Sequence, residues 1–332
     1  MSSINRPALL SVENLHVSFV PPGRSATLAV RGVSFTLDRR ETLGIVGESG
    51  CGKSVTALSL LRLIDPPGRI DSGRVELDGV DLLGISESRM REVRGARIGW
   101  APQDPLTSLN PVLTIGAQLV ETVRAHRKLS RSEATHEALA WLERVRIPGG
   151  LQRMRQYPYE MSGGMRQRVM LAMAFAPQPE IVIADEPTTA LDVTVQAQIL
   201  DLMDELKADL GTAVLLITHD LGIVAQRADR VAVMYAGQIV ETSSVRDLFA
   251  GARHPYTQAL LAAAADASSA ANGEPLPFLD GQPPRITSIT PPSCAFAARC
   301  PRRFDRCNEI SPDLVSGGEP NRPVRCLLYG GV

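Results

Sequence analysis

The chain has 332 residues, 44% of them hydrophobic, so it can bury a sizeable core in one large domain or two modest ones. Its 35 basic and 36 acidic residues nearly cancel, which leaves no net field to attract nucleic acid or an anionic membrane surface. The most apolar stretches, 212–217 and 259–264, are far shorter than the roughly 20 residues of a membrane-spanning helix. Composition therefore predicts a folded protein that does not cross a membrane itself and has no nucleic-acid partner.

The first residues, Met-Ser-Ser-Ile-Asn-Arg-Pro, lack the cationic and then apolar pattern of a secretion signal. We therefore expect the protein to stay in a reducing cytoplasm, where its five cysteines are thiols rather than disulfides.

Short runs rich in Val and Ile alternate with longer helical segments, a pattern typical of an α/β domain with a largely parallel sheet. A helix is predicted after residue 52, ending near Ile64, and another over Ser132–Arg146. No convincing strand occurs in 115–176, which predicts an inserted helical subdomain at about 103–176 within a domain of residues 8–261. A linker over 262–277 and a small extension with cysteines over 278–332 complete the predicted order. The predicted strands are Leu10–Phe19, Val33–Leu37, Thr42–Val46, Ile98–Ala101, Ile181–Ala184, Ala213–Thr218 and Arg230–Tyr235.

A glycine-rich segment between a predicted strand and a predicted helix matches the phosphate-binding loop G-x-x-x-x-G-K-S. Its glycines let consecutive backbone N–H groups face an anion, and the helix N-terminus adds its dipole. Lys53 would neutralise the β- and γ-phosphates, and the Ser54 hydroxyl would bind Mg²⁺. The Cys51 thiol in this loop is expected to add little to phosphate binding and no catalysis, although it could be alkylated or oxidised. The predicted ATP-binding residues of this loop are Gly47, Glu48, Ser49, Gly50, Cys51, Gly52, Lys53 and Ser54.

Two adjacent carboxylates, Asp185 and Glu186, follow the apolar run Ile181–Ala184. Ligands of open α/β sheets bind at the carboxyl ends of parallel strands. Asp185 would hold the Mg²⁺ shell, and Glu186 would accept a proton from the attacking water.

Ser162, Gly163, Gly164 and Met165 open another predicted helix, with Ser162 at the N-cap position. Such a helix end is a second anion site. Because one compact lobe cannot bring it to its own phosphate loop, we expect it to meet the γ-phosphate held by a partner.

In this order the motifs resemble those of the ATP-binding-cassette subunits, and the resemblance spans Leu10 to about Leu261. It implies a P-loop nucleoside-triphosphatase α/β core with an antiparallel β subdomain and a helical subdomain. It also implies that Gln103 senses Mg²⁺ and the lytic water, that Asp192 links two active sites and that His219 contacts the γ-phosphate. Phe19 matches the aromatic residue that stacks on adenine. Met165 occupies the fifth position of the signature motif, where the family more commonly has Gln. The other histidines, His16, His126, His136 and His254, are expected to be structural.

Further stretches resemble the peptide-import branch of that family, among them Gln103–Pro111, Pro187–Gln198 and His254–Thr257. The resemblance implies an ATPase at the cytoplasmic face of a bacterial inner membrane that powers import. Its implied partners are a paralogous ATPase subunit or a second copy of the chain, two transmembrane permeases and an extracytoplasmic solute-binding protein. Nickel, glutathione or another small solute is the alternative cargo.

Four cysteines, Cys294, Cys300, Cys307 and Cys326, resemble those of the C-terminal extension of these importers, which implies one metal centre. A [4Fe-4S] cluster is the first hypothesis, and structural zinc or four unrelated thiols are the alternatives. Zinc sites usually contain closely spaced Cys pairs, whereas five, six and eighteen residues separate successive cysteines here.

Two soluble, non-transport classes of cassette protein fit less well. A DNA-repair cassette protein needs a long coiled coil between phosphate loop and signature, which roughly 100 residues of mixed helix cannot supply. A translation-associated cassette protein carries two cassettes on one chain, and this sequence has one phosphate loop.

Overall fold

The computed structural model describes residues 8–23, 25–189, 191–269, 293–319 and 321–330. The chain divides into two compact units. The first unit comprises Met1–Leu37, Thr42–Leu83 and Ile217–Val332, and the second comprises Asp38–Glu41 and Gly84–Leu216.

The described residues form ten β-strands and eleven α-helices. The strands are β1 (Leu10–Phe19), β2 (Thr27–Leu37), β3 (Thr42–Val46), β4 (Gly68–Leu77), β5 (Val80–Asp81), β6 (Ile98–Ala101), β7 (Ile181–Asp185), β8 (Ala213–Thr218), β9 (Arg230–Tyr235) and β10 (Gln238–Ser244). The α-helices are α1 (Lys53–Leu60), α2 (Glu87–Val93), α3 (Pro105–Ser108), α4 (Ile115–His126), α5 (Arg131–Arg144), α6 (Gly150–Arg153), α7 (Gly163–Phe175), α8 (Val193–Leu210), α9 (Leu221–Arg227), α10 (Val245–Gly251) and α11 (Pro255–Ser269).

The first unit contains an antiparallel sheet in the order β2-β1-β4-β5. In β1, the buried Leu10, Val12, Leu15 and Val17 lie on one face, and bulges near Asn14 keep them there. In the same unit β3 pairs in parallel with β9, which pairs antiparallel with β10. All five residues of β3 are buried, as expected for a strand covered on both faces.

The core of the first unit includes aromatic side chains that are far apart in the chain. Tyr235 of β9 and Tyr256 of α11 have ring centroids 4.6 Å apart. Phe296, from the C-terminal extension, lies 5.2 Å from the first ring and 5.5 Å from the second. Phe296 is 1% exposed, and burying such a side chain contributes about 1.5–3 kcal/mol. The described part of the extension is therefore packed into the core of this unit.

In the second unit β6 and β7 are parallel, with Ala101 opposite Ala184. Around them lie helices whose first turns are capped by side chains. Ser130 and Glu133 form a capping box at α5, and α4 packs against α5 and α7. The described residues of 115–176 contain no strand, as the sequence predicts, and the helical subdomain of about 103–176 stays a prediction.

Five predicted strands occur with the predicted bounds: β1, β3, β6, β8 and β9. β2 begins earlier, at Thr27, and β7 extends to Asp185. β4, β5 and β10 were not predicted. Half of the residues of β4 are exposed, and β10 consists largely of polar residues whose burial depends on other parts of the chain.

Three helix ends differ from their predicted positions. α1 ends at Leu60 rather than near Ile64, and α5 spans Arg131–Arg144 rather than Ser132–Arg146. The linker predicted for 262–277 is also different, because α11 continues to Ser269 through its alanine-rich first part. Residues 270–277, and 278–292 of the predicted extension, lie outside the described residues. Among the helices that the structure describes, none has both the length and the apolar character needed to span a membrane.

Candidate nucleotide site

The phosphate loop lies between β3 and α1 of the first unit, as predicted. Gly47 and Gly52 are required by its close packing. A Cβ at Gly47 would lie 2.1 Å from the Met234 carbonyl oxygen, and one at Gly52 would lie 2.6 Å from the Ala29 carbonyl oxygen. Gly52 also has a φ of 106°, a conformation that residues with a side chain rarely adopt. Neither position accepts a larger residue without displacing backbone.

Lys53 is 5% exposed and its Nζ donates to the carbonyl oxygens of Gly47, at 2.7 Å, and Glu48, at 3.1 Å. The ammonium group is thus held over the loop that the motif assigns to phosphates. Ser54 follows it in the first turn of α1 and is half-buried, while Ser49 and Gly50 are exposed at the tip. The loop therefore presents cationic and hydroxyl groups together with backbone N–H groups.

Cys51 is a buried thiol within this loop. Burial raises its pKa, more than the nearby Lys53 lowers it. Because the neutral thiol is a poor nucleophile, the structure agrees with a non-catalytic role for Cys51.

In the second unit, the carboxyl ends of β6 and β7 bring Gln103 and Glu186 together. Each residue follows the paired Ala101 and Ala184 by two positions, so the parallel register places them side by side. Gln103 Nε2 donates to Glu186 Oε2 at 3.0 Å, and Thr189 Oγ1 donates to the same oxygen at 2.8 Å. Glu186 has a φ of 46°, a strained conformation for a residue with a side chain and one that is common at functional sites.

Asp185 ends β7 and is 3% exposed. Mg²⁺ prefers oxygen ligands such as carboxylates and hydroxyls. The Asp185 carboxylate in the second unit and the Ser54 hydroxyl in the first unit are both of this kind. Each residue therefore has the donor chemistry predicted for it.

The predicted signature also lies in the second unit, at the start of α7. Ser162 is the N-cap, and its Oγ accepts from the Met165 N–H at 3.3 Å. A Cβ at Gly164 would lie 2.8 Å from Val195 Cγ1, so glycine lets α7 approach α8. Asp192 caps α8 by accepting from the Val195 N–H at 2.9 Å. Its neighbour Ala190 lies outside the described residues.

His219 is exposed directly after β8, and Phe19 is half-buried at the end of β1. Phe19 pairs with Gly68 of β4, where a Cβ would approach its Cε1 to 2.7 Å. The roles of both residues toward a nucleotide stay predictions. By contrast, burial lowers the pKa of His254 to about 3, and its Nδ1 accepts from the Tyr256 N–H at 3.0 Å, which agrees with a structural role.

The four cysteines of the extension lie near one another in the first unit. Burial, with smaller contributions from the other three thiols, raises the pKa of Cys294 to about 11. The Cys294 N–H donates to the Cys307 carbonyl oxygen at 2.9 Å. Across the residues that the structure describes, no three His, Cys, Asp or Glu side chains are arranged to hold a metal ion. This geometry does not support the predicted [4Fe-4S] cluster or its zinc alternative.

Sequence reasoning missed two residues that contact the phosphate loop. The Tyr256 hydroxyl accepts from the Glu48 N–H at 3.0 Å, and Arg299 of the extension forms an ion pair with the Glu48 carboxylate at 3.0 Å. Both lie more than 200 positions after Glu48, so no local pattern could have connected them to it.

Comparison with known families matches residues 30–189 to the ABC transporter family and residues 240–307 to the oligopeptide/dipeptide transporter C-terminal region. The second match begins inside β10 and includes three of the four extension cysteines.

Curated relatives are similar over nearly the whole chain. The dipeptide transport ATP-binding protein DppD of Bacillus subtilis is 50% identical over 96% of this chain and 94% of its own length. The oligopeptide transport ATP-binding protein OppD of the same organism is 51% identical, over 97% of this chain and 89% of its own. Among solved structures, a dimeric post-hydrolysis state of the ATP-binding cassette MJ0796 with ADP and Pi has a TM-score of 0.64 at 25% identity, covering 71% of this chain and 99% of that one. The chain belongs to the ABC transporter family, in the group of ATP-binding proteins that carry the oligopeptide/dipeptide transporter C-terminal region.

Proposed function

We propose that this chain is the ATP-hydrolysing subunit of a peptide importer. In this proposal ATP binding closes a dimer of nucleotide-binding domains, and hydrolysis resets it to drive transport through partner permeases. Two features together support this proposal. The chain contains the full set of ATPase motifs, and it is about 50% identical to peptide transport ATP-binding proteins over nearly its whole length.

ATP is the substrate, and its phosphates would bind to the loop N–H groups and to Lys53. Mg²⁺ would be held by Ser54, Gln103 and Asp185, and would neutralise charge on the β- and γ-phosphates when bound. Phe19 would stack on the adenine, and His219 would contact the γ-phosphate.

Glu186 is the proposed general base. Its Oε2 is held by Gln103 and Thr189, which fixes the plane of the carboxylate at the carboxyl end of β7. A carboxylate fixed in this way can take the proton of an attacking water without first reorganising. Gln103 would position that water and transmit the state of the site to the permeases.

The signature would act on the ATP of a partner. Ser162 and Gly163 are exposed at the N-terminus of α7, where backbone N–H groups can meet a γ-phosphate. Asp192, at the start of the adjacent α8, would link the two sites. The partner is a paralogous ATPase or a second copy of this chain. The remaining proposed partners are two permeases and an extracytoplasmic binding protein, with this chain peripheral at the cytoplasmic face of the membrane.

Glu186→Gln tests the ATPase mechanism, because it keeps the side-chain shape and removes the base. We expect hydrolysis to fall by a factor of about 10²–10⁴ while nucleotide binding persists. Glu143→Gln, an exposed change on α5 in the same unit, is the matched control and should hydrolyse ATP like wild type. Near-normal turnover by Glu186→Gln would remove Glu186 from the base role.

Cargo is tested with the complete complex. The chain, its permeases and its binding protein would be reconstituted in vesicles and supplied with dipeptides, longer peptides, nickel or glutathione. ATP-dependent uptake of peptides alone supports the proposal. Uptake of nickel or glutathione instead would assign the same motor to the alternative cargo, and recovery of nucleic acid or ribosomes in place of permeases would support a non-transport cassette protein.

The metal centre at the four cysteines is a separate proposal that rests on the family resemblance and on the proximity of the thiols. It is tested by anaerobic purification followed by iron, sulfide and zinc analysis of wild type and Cys300→Ser. Iron with sulfide in wild type would support the cluster, and zinc without sulfide would support the alternative. Absence of all three would leave four structural thiols.

A further inference from the structure

A charged contact connects the C-terminal extension to the phosphate loop within the first unit. Arg299 Nη1 lies 3.0 Å from both carboxylate oxygens of Glu48. The Arg299 side chain is 7% exposed and that of Glu48 is 21% exposed. An ion pair with one member buried is screened far less than a surface pair, so its loss has a larger effect.

Glu48 occupies a critical place in the loop. Its carbonyl oxygen accepts from Lys53 Nζ at 3.1 Å, and its N–H donates to the Tyr256 hydroxyl at 3.0 Å. Its backbone therefore contacts the lysine that the motif assigns to the phosphates. Its carboxylate is a negative charge in the same loop, where it would repel a triphosphate unless a cation neutralised it.

Arg299 is itself held in place by the core of the first unit. Phe296, three positions before it, is buried between Tyr235 and Tyr256. The Arg299 guanidinium lies 5.8 Å from the Tyr235 ring centroid, and its Nη1 donates to the Tyr235 hydroxyl at 3.4 Å. A cation fixed in this way need not be ordered again when a nucleotide binds.

We propose that Arg299 is a positioning residue for nucleotide binding. It neutralises the Glu48 carboxylate and holds Glu48, so that the backbone of the loop and Lys53 are arranged for a triphosphate before ATP arrives. This inference deepens the proposed function and rests on the phosphate loop being the ATP site. It gives the described part of the extension a role in the ATPase cycle itself.

The test measures nucleotide affinity directly, by fluorescence of a labelled ATP analogue on the full chain, together with KM and kcat for ATP hydrolysis. Arg299→Gln should raise the Kd and KM by on the order of 10-fold, with a smaller change in kcat, because an unpaired carboxylate remains beside the phosphates. Arg299→Lys keeps the charge and should restore most of the affinity. Arg306→Gln removes an exposed arginine from the same extension and is the charge-matched control.

The double variant Glu48→Gln with Arg299→Gln separates positioning from general stability. If Arg299 acts through Glu48, removing both charges should restore part of the affinity lost in Arg299→Gln. A double variant that binds no better than Arg299→Gln would overturn the proposal. Wild-type affinity in Arg299→Gln, or an equal loss in Arg306→Gln, would overturn it too.

Thermal unfolding of each variant identifies a folding defect. If Arg299→Gln does not fold, Arg299→Lys and the double variant still test the proposal. Charge neutralisation would be contradicted if Arg299→Lys folds and loses as much affinity for ATP as the folded double variant does. Failure of wild type to bind the ATP analogue would instead contradict the proposed nucleotide site, so the two failures are distinguishable.

Discussion

The buried carboxylate of Glu241 is expected to hold the start of α11 in place. This residue lies in β10 and is 0% exposed. Its Oε1 accepts from the Arg253 N–H at 2.8 Å, and its Oε2 accepts from the His254 N–H at 2.9 Å. These N–H groups immediately precede α11, which begins at Pro255, so the carboxylate also lies close to the positive end of the helix dipole.

Replacing Glu241 by alanine leaves two buried N–H donors without their acceptors. Each lost acceptor costs about 1–3 kcal/mol when the donor stays buried, so we expect about 2–6 kcal/mol in total. Opening of this segment should therefore become at least about 30-fold more frequent, since 1.4 kcal/mol corresponds to tenfold. Glu319→Ala is the control, because Glu319 is 50% exposed and its ion pairs with Arg322, at 2.9 Å, and with the Arg253 side chain, at 3.9 Å, should each contribute at most about 1 kcal/mol.

Hydrogen exchange read by mass spectrometry on a peptide covering 250–258 measures this opening. Glu241→Ala should exchange these N–H groups at least about 30-fold faster than wild type, and Glu319→Ala should change them less than about fivefold. A change below about threefold in Glu241→Ala would refute the assignment of this carboxylate as the partner that holds the start of α11.

Three further predictions concern Gly164, Tyr256 and His254. Gly164→Ala should lower ATPase activity by about tenfold, because its Cβ would lie 2.8 Å from Val195 Cγ1, and Val195→Ala in the same chain should restore activity by making room. Tyr256→Phe removes the acceptor of the Glu48 N–H and should raise the Kd for ATP about 2- to 10-fold in a binding titration. The pKa of His254 falls from 6.5 to about 3 on folding, so the unfolded chain binds more protons between these values and stability falls as the pH drops through that window. Between pH 7 and pH 5, denaturant unfolding should show wild type losing about 2 kcal/mol more than His254→Asn.

The fold could be predicted where burial is uniform along a strand. All residues of β3 are buried, and so are those of β8, and both strands were predicted at their observed bounds. β10 could not be predicted, because Glu241 and Ser243 are fully buried polar residues. Their burial depends on distant parts of the chain, such as the Arg253 N–H and the Pro323 carbonyl oxygen that accepts from the Thr242 N–H. Local polarity indicated a loop, and tertiary hydrogen bonds made a strand.

The same distinction applies to the candidate site. Short motifs predict the places of Lys53, Asp185 and Ser162, because each lies at a strand end or helix N-terminus whose geometry is local. The hydrogen bond from Gln103 to Glu186 joins residues 83 positions apart, and only the parallel register of β6 and β7 explains it. The four cysteines show the opposite outcome, since a sequence resemblance implied a metal centre that the described geometry does not support.

The composition of the extension suggested a small appendage, yet its described residues supply structure to the first unit. Phe296 completes the aromatic group around Tyr235, and the Arg325 N–H donates to the Val240 carbonyl oxygen of β10 at 2.8 Å. The matched C-terminal family region begins at residue 240, inside that strand rather than after α11. β10 is thus shared between the sheet and the extension. Because Arg299 and Phe296 lie in the same short segment, a change that loosens the extension should reach Glu48 and the phosphate loop without any change in the loop's own sequence.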